Sequence, residues 1–583
     1  MLASSALEWE AGSHPAPRGG SSPMRRGAHP RWSTRSGGQS RRWGMQTWRA
    51  VAMCCMWVAL GCGGPLEEAP PSSEPDTTEV SSREAAEGEV SASWSHDPPM
   101  LSRARPVEYS GPAFGRREED LVEFRGRLYF SKTREDGWRQ LWKSDSTGAG
   151  TVVVAEFPPL SGSWGSPLSS LTPVGRQLFF TLEDDAHGRE LWVSDGTGGG
   201  TRLVADLTPG PGNSALEPLV AVGGRLFFFR TVGADTGQPG RAELWTSDGT
   251  ATGTVRVRDF GPGTSARSDR VIARGGTLFF ILALSDGTYE LWKSDGSGAG
   301  TLRLRSFEST PLGSAPESLR VAGRFVYFIA DEPAHGNELW RTDGTVAGTE
   351  LVEDFTPGPA GSFPRLLDVA RGRLFFTVRD PGGSVERLFS VRVGGCGHCE
   401  PTLVTSLPNP FAGRLEVSSF ITAFATTGDK LFFSQAFFYT GPAPIRHQLW
   451  VTDGTESGTT LLHQGLSLSD EFTTELLAVD GLLLFPANFP ANPGGFVNTE
   501  PWVSDGTVRG TRLLQELNPG PLSSMPYAFT RVNDRVFFIA GHGDQTYALW
   551  VVYLRYQRPC PDESLITGAS LTYTMPPRGV RPP

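Results

Sequence analysis

Hydrophobic positions along this chain come in short runs rather than helical stripes. From residue 165 to 207 the runs are SPLSSLTPVG, RQLFFTLED, RELWVS and TRLVADL. The polar turns DDAHG and DGTGGG separate the second from the third and the third from the fourth. Each run is rich in Leu, Phe, Val and Thr and is bounded by Gly, Pro, Asp or Asn, which predicts strands. Within two of the runs large apolar residues are consecutive, as in Leu178-Phe179-Phe180 and Leu191-Trp192. Successive side chains on a strand point to opposite faces, so both faces of these sheets are predicted to be covered.

The pattern repeats. A Leu-Trp pair recurs with its Trp at Trp142, Trp192, Trp245, Trp292, Trp340, Trp450 and Trp550, joined by Pro501-Trp502 and by Phe389 in a sixth, variant unit. Each is preceded by a Leu-Phe-Phe-like signature, from Leu128-Tyr129-Phe130 to Val536-Phe537-Phe538. Nine units of about 50 residues between 106 and 555, each with four predicted antiparallel strands, describe propeller blades. The expected fold is therefore all-β, a β-propeller of eight or nine four-stranded blades. One large ring is favoured over two rings split near the long 389–450 interval. The ninth unit lacks its last turn. The missing strand is expected either from 564–575 or from the N-terminal 106–124 segment.

The third run ends in Ser-Asp-Gly-Thr or a close variant, with Asp145, Asp195, Asp248, Asp295, Asp343, Asp453 and Asp505 at the turn. Asp-Gly favours a tight hairpin, and the Asp carboxylate is suited to accept from backbone N–H groups just beyond it. Calcium coordination by these turns is the alternative, but one Asp per turn falls short of the roughly six to eight oxygens Ca²⁺ takes. The Trp and turn residues together, as in His187-Gly188-Arg189-Glu190-Leu191-Trp192-Val193-Ser194-Asp195-Gly196-Thr197, resemble the ELWxxDGT-repeat family of exported bacterial proteins. The resemblance covers the repeat region. It implies a propeller-like exported protein and no particular activity.

The N-terminus changes the picture. Residues 1–49 carry eight Arg and two Glu, and Ala50 to Gly61 is an apolar run of twelve. A helix of that length rises only about 18 Å, short of the roughly 30 Å hydrocarbon core of a bilayer. Residues 1–61 therefore read as an export signal with an over-extended start, Met45 giving a more typical length. Ala59-Leu60-Gly61-Cys62 resembles a lipobox, with Cys62 as the lipidated residue; an ordinary secretory signal is the alternative. A twin-arginine signal around Arg41-Arg42 is a third reading. Residues 62–105 read as a flexible acidic tether rich in Pro, Ser and Glu, part of a disordered N-terminal region. Removal of residues 1–61 takes the formal charge from −10 to −16, which argues against a nucleic-acid partner. The expected location is an outer-membrane, cell-surface or periplasmic lipoprotein, monomeric and attached to the membrane through its lipid.

Chemistry is sparse. Cys396-Gly397-His398-Cys399 occupies a Gly-rich hairpin tip with no helix pattern after it, so a disulfide between Cys396 and Cys399 is expected, with redox exchange as the alternative. Cys560 is left over. His187 and His335 fall in polar turns, where a surface role is expected. No nucleophile elbow, zinc-protease helix, phosphate loop or dinucleotide fingerprint occurs, so no catalytic residue and no cofactor is predicted. Residues recurring in every unit should maintain the repeat, and function should sit in the irregular inserts 232–241, 389–408, 437–447 and 485–498. The reading is a binding or adhesion scaffold for a glycan or an envelope or matrix protein. A carbohydrate-active hydrolase or lyase is the alternative.

Overall fold

The computed structural model describes residues 99–556, apart from 109–113, 115–119, 162–167, 234–238, 309–316, 380–384, 395–399, 410–416, 440–445, 467–475, 489–497, 520–522 and 543–545. All of its regular structure is β. Nine antiparallel sheets follow one another along the chain, the first eight each made of four consecutive strands. Blade 2 shows the plan: Ser169–Val174, Gln177–Asp184, Gly188–Ser194 and Arg202–Ala205 pair in chain order, as the runs predicted. The blades span 121–157, 169–205, 215–262, 264–307, 317–353, 365–407, 417–466, 477–513 and 527–555.

The ring is single and closed. The first strand of each blade touches the first strand of the next, and the series returns from Tyr527–Val532 of blade 9 to Leu121–Phe124 of blade 1. These nine strands line the axis. Nine hydrophobic clusters sit one in each gap between consecutive blades. The gap between blades 9 and 1 is filled like the others, by Leu128, Phe130 and Trp142 against Phe537, Ile539 and Val551. This is why Leu-Phe-Phe and Leu-Trp carry no polar face: every sheet has a neighbour on each side. One ring, not two, is formed.

Blade 9 has three strands of its own and takes its outer edge from the N-terminal side. Met100–Leu101 and Arg105–Pro106 pair with Thr546–Arg555, with Met100 opposite Arg555 and Pro106 opposite Trp550. Ser102 N donates to Tyr553 O (3.0 Å), Val107 N to Leu549 O (2.8 Å) and Phe114 N to Tyr547 O (3.1 Å). The closing segment therefore lies partly within 106–124, as one of the two sequence expectations had it, and begins earlier, at Met100 in the stretch read as tether. The competing segment 564–575 lies outside the described residues. So do Cys62, Cys396, Cys399, Cys560, the rest of the N-terminal region read as signal and tether, and the tips of the four inserts.

Candidate functional site

Because strands alternate in direction, each blade shows two kinds of end. One face of the ring carries the turns between first and second strands and between third and fourth strands. The other carries the turns between second and third strands and the crossovers from blade to blade.

On the first face every Ser/Thr-Asp-Gly-Ser/Thr turn is closed by its own side chains. In blade 2, Asp195 Oδ1 accepts from Thr197 N (2.9 Å) and Thr197 Oγ1 (2.7 Å). Gly200 N donates to Thr197 Oγ1 (3.1 Å), and Ser194 and Thr201 hydroxyls meet at 2.7 Å. Asp248, Asp295, Asp343, Asp453 and Asp505 accept the same pair of bonds from Thr250, Ser297, Thr345, Thr455 and Thr507. Asp145 repeats them with Thr147, although Ser146 replaces Gly and takes φ 78°. The Thr197 hydroxyl and N–H hold the Asp195 carboxyl below its ordinary range. The last Gly of the motif is explained too: a Cβ on Gly200 would sit 2.0 Å from Asp195 Oδ1.

The turn also joins neighbouring blades. Arg125 Nη1 of blade 1 donates to Asp195 O of blade 2 (3.0 Å), and Arg202 Nη2 of blade 2 to Gly249 O of blade 3 (2.6 Å). Arg274 does so to Asp343 O (2.8 Å), Lys430 to Asp505 O (3.2 Å) and Arg535 Nη1 to Asp145 O (2.6 Å), the last crossing from blade 9 to blade 1. The motif is thus an intra-turn cap and an inter-blade acceptor at once.

The repeat aromatics lie inside the ring. Trp142, Trp292, Trp340, Trp450, Trp502 and Trp550 are buried, and Trp192 and Trp245 half-buried. Each stands opposite a Phe of the second strand, as Phe180 opposite Trp192 and Phe433 opposite Trp450. In most blades the rings stack, with centroids at 6.5 Å and 20° for Phe180–Trp192 and 6.3 Å and 4° for Phe433–Trp450. The variant unit keeps the device with Phe376 and Phe389 at 5.7 Å. An aromatic from the preceding blade often meets the pair edge-on: Phe157 reaches Trp192 and Phe307 reaches Trp340.

Sequence reasoning missed a third recurrent group, the Glu of Glu-Leu-Trp. It is buried and clasps the crossover to the next blade. Glu190 accepts from Leu207 N (3.1 Å), Thr208 N (3.2 Å) and Ser214 Oγ (2.6 Å), and Glu500 from Leu517 N (2.9 Å) and Ser524 Oγ (2.6 Å). Glu338 accepts from Ser362 Oγ (2.5 Å). Burial pushes all three carboxyls up, Glu338 to about 7. In blades 3 and 4 an Arg takes the role of the crossover: Arg256 meets Glu243 at 2.8 Å and Arg303 meets Glu290 at 2.6 Å. A fixed spacing could have revealed the clasp, because Glu190/Ser214, Glu338/Ser362 and Glu500/Ser524 are each 24 residues apart.

The crossover face carries the features that vary. Three inserts, 232–241, 437–447 and 485–498, connect second to third strands and so rise from this face; 389–408 connects third to fourth strands and lies on the other. A cavity of about 720 Å³ opens in the ring centre, lined by Asp120, Ser170, Thr172, Glu217, Thr530 and apolar neighbours such as Leu219, Leu477 and Phe529. Bulges in the first strands shape it, between Ser169 and Thr172 and between Tyr527 and Thr530, with Ser170 at φ 61° and Ala528 at φ 56°. Asp120 Oδ2 accepts from Ser170 N (2.7 Å) and Leu171 N (3.3 Å), tying blade 1 to blade 2 at the rim.

His187 and His335 are at turns on this face. His187 Nδ1 lies 3.0 Å from Asp184 and His335 Nδ1 2.8 Å from Asp354. The Asp184 hydrogen bond raises the His187 pKa. Among the described residues no group of three His, Cys, Asp or Glu side chains converges as a metal centre.

No family model matches the chain, and no curated protein matches it. Solved structures similar to it include prolyl endopeptidases, at 13% identity over 58% of this chain and 50% of theirs, TM-score 0.35. The propeller domain of the Trilobed protease from Pyrococcus furiosus is similar at 13% identity over 58% of this chain and 93% of that domain, TM-score 0.29. A eukaryotic initiation factor is similar at 10% identity over 78% of this chain and 94% of its own, TM-score 0.41. The chain spans half the length of the prolyl endopeptidases. What the structure shows of the chain itself is a closed nine-bladed propeller.

Proposed function

We propose that this protein is an exported propeller, lipid-anchored through Cys62, that binds a glycan or an envelope or matrix protein without chemically transforming it. One observation carries the reading: recurrent and variable residues are segregated. The Trp, turn Asp and Glu residues are spent on packing, capping and clasping. The polar, non-repeating rim of the central cavity and three long inserts share the crossover face. A mixture of hydroxyls, carboxylates and apolar side chains around a concave opening suits a polyhydroxylated ligand, whose hydroxyls need acceptors and whose ring faces need apolar contact. The acidic character of the chain disfavours nucleic acid.

The test is direct binding of the full chain to a panel of polysaccharides and to envelope extracts, with Thr172→Arg and Glu217→Arg placed at the cavity. Saturable binding weakened at least tenfold by either substitution supports the reading. Binding unchanged by both, or turnover of a polysaccharide by the unmodified protein, overturns it. Mass spectrometry of the mature N-terminus tests the anchor: acylated Cys62 is expected, and an unmodified or uncleaved terminus refutes it.

A further inference from the structure

The two faces of the ring differ in charge. The turns joining first to second strands circle the axis on the face that also carries the Asp-Gly turns. In blades 2 to 6 these inner turns hold Arg176, Arg225, Arg274, Arg324, Arg371 and Arg373 and no Asp or Glu. Four of the six are exposed, and Arg274 and Arg373 are half-buried. Several of their hydrogen bonds go to neutral acceptors: Arg225 Nη2 donates to Gly253 O (3.0 Å), Arg274 Nη2 to Asp343 O (2.8 Å) and Arg373 Nη1 to Ser390 Oγ (2.9 Å). Such acceptors hold a guanidinium without cancelling its charge. Arg371 meets a carboxylate, Asp453 at 3.1 Å, and its side chain is still 62% exposed. The turn Asp residues of blades 2 to 5 share this face, but each is engaged within its own turn. Blade 6 ends its third strand on Arg392 instead.

The rest of the circle is different. Blades 7, 8, 9 and 1 place Asp429, Asp480, Asp534 and Glu123 in or beside the same inner turns, and Arg531 is paired with Asp480 at 2.6 Å. On the opposite face the second-to-third turns of blades 2, 4 and 5 carry Asp184, Asp185, Asp286 and Glu332 without Lys or Arg. A positive arc therefore stands on one side of an acidic chain.

The entry of the chain into the ring is an independent observation. Thr546–Arg555 is a third strand, and third strands run toward the Asp-Gly face. Met100 lies opposite Arg555, Pro106 opposite Trp550, and Phe114 N donates to Tyr547 O. The closing segment thus starts on the Arg side and runs to the crossover side. What precedes Met100, Cys62 included, is joined to the ring on the Arg side, away from the inserts 232–241, 437–447 and 485–498.

We propose that the Arg arc of blades 2 to 6 is an electrostatic docking surface for the anionic head groups of a lipid bilayer, which turns the crossover face outward. The outward direction rests on the anchor proposed above; the electrostatic contact does not. Guanidinium groups match phosphate in a planar, bidentate geometry. Basic residues are drawn to anionic leaflets within a Debye length, about 10 Å at 0.1 M salt. An acyl anchor and a basic patch together hold a protein more firmly than either does alone.

The test is co-sedimentation of residues 62–583 carrying Cys62→Ser, which omits none of the described structure. The vesicles are phosphatidylglycerol mixed with phosphatidylcholine, or phosphatidylcholine alone. In about 50 mM NaCl the mixed vesicles should bind at least tenfold more tightly, and about 500 mM NaCl should abolish the difference. Arg176→Glu with Arg324→Glu should weaken binding at least tenfold. Arg134→Glu with Arg267→Glu makes the same charge change at exposed positions on the crossover side and should leave binding within about twofold. Should the first pair fold poorly by thermal melting, the milder Arg176→Gln with Arg324→Gln should weaken binding in the same direction. No preference for anionic vesicles, binding that survives the change at Arg176 and Arg324, or equal loss from both pairs overturns the proposal. Retention on dextran sulfate without vesicle binding overturns it too, and assigns the arc to an anionic polymer. An unmodified Cys62 in the mature protein would remove the anchor and the outward orientation while leaving the vesicle result standing.

Discussion

Replacing Gly200 with Ala isolates the contact on which the turn motif rests. The added methyl would lie 2.0 Å from Asp195 Oδ1 and 2.2 Å from its carboxyl carbon, far inside contact distance. The carboxylate must swing away, losing its bonds from Thr197 N and Oγ1. Two hydrogen bonds to a charged acceptor at an exposed turn, with solvent able to replace them in part, put the cost at about 1–2 kcal/mol. Gly199→Ala is the control, because a Cβ there meets nothing within 4 Å. It should be neutral or slightly stabilising, since Ala narrows the unfolded ensemble. In an Asp195→Ala background the carboxylate is gone and Gly200→Ala should cost almost nothing further. The assay is hydrogen exchange at residues 194–201 together with urea denaturation, because a nine-unit ring need not unfold in one step. An equal cost of Gly200→Ala with and without the Asp195 carboxylate would refute the reasoning, since the clash would then lie elsewhere.

Three further outcomes follow from the same contacts. Trp340→Ala removes a ring that is 2% exposed and packed against Phe307, and should cost about 3–5 kcal/mol in chemical denaturation, whereas Val346→Ser at a 68% exposed turn should stay within about 0.5 kcal/mol. Deleting residues 99–106 strips the outer edge from blade 9, so amides of Thr546–Arg555 should exchange at least tenfold faster; unchanged exchange would mean that the edge is not held by that segment. The turn carboxyls Asp145, Asp195, Asp248 and Asp295 are held low by their Thr or Ser hydroxyls. Stability from them is present above the unfolded value near 3.8 and is lost as pH falls through the lower folded value. Thermal melting from pH 5 to pH 2 should therefore decline less steeply in Thr197→Val, and an identical acid limb would argue against the cap.

The blades were legible in the amino-acid order because each is a local object. Strands, turns and the Phe–Trp facing pair all arise within about 50 residues, and short consecutive apolar runs with Asp-Gly punctuation report them directly. The closing edge was only half legible. Met100–Leu101 and Arg105–Pro106 are two residues each, too short to show any period, and their partner lies some 450 residues away. The Glu clasp was hidden for a different reason: within Glu-Leu-Trp a carboxylate looks like an outward-facing strand residue, and its donors come from the crossover that follows. The cavity rim was least visible, since bulges at Ser170 and Ala528 depend on how nine first strands meet around an axis.

The pairing of Met100–Pro106 with Thr546–Arg555 makes the earliest and latest strands of the ring partners. A ribosome releasing this chain finishes eight sheets before the ninth can acquire its rim, so the circle stays an open arc until residues 546–555 have emerged. Any premature stop before residue 546 would leave that arc with two raw ends, inviting another molecule's strand to fill the gap.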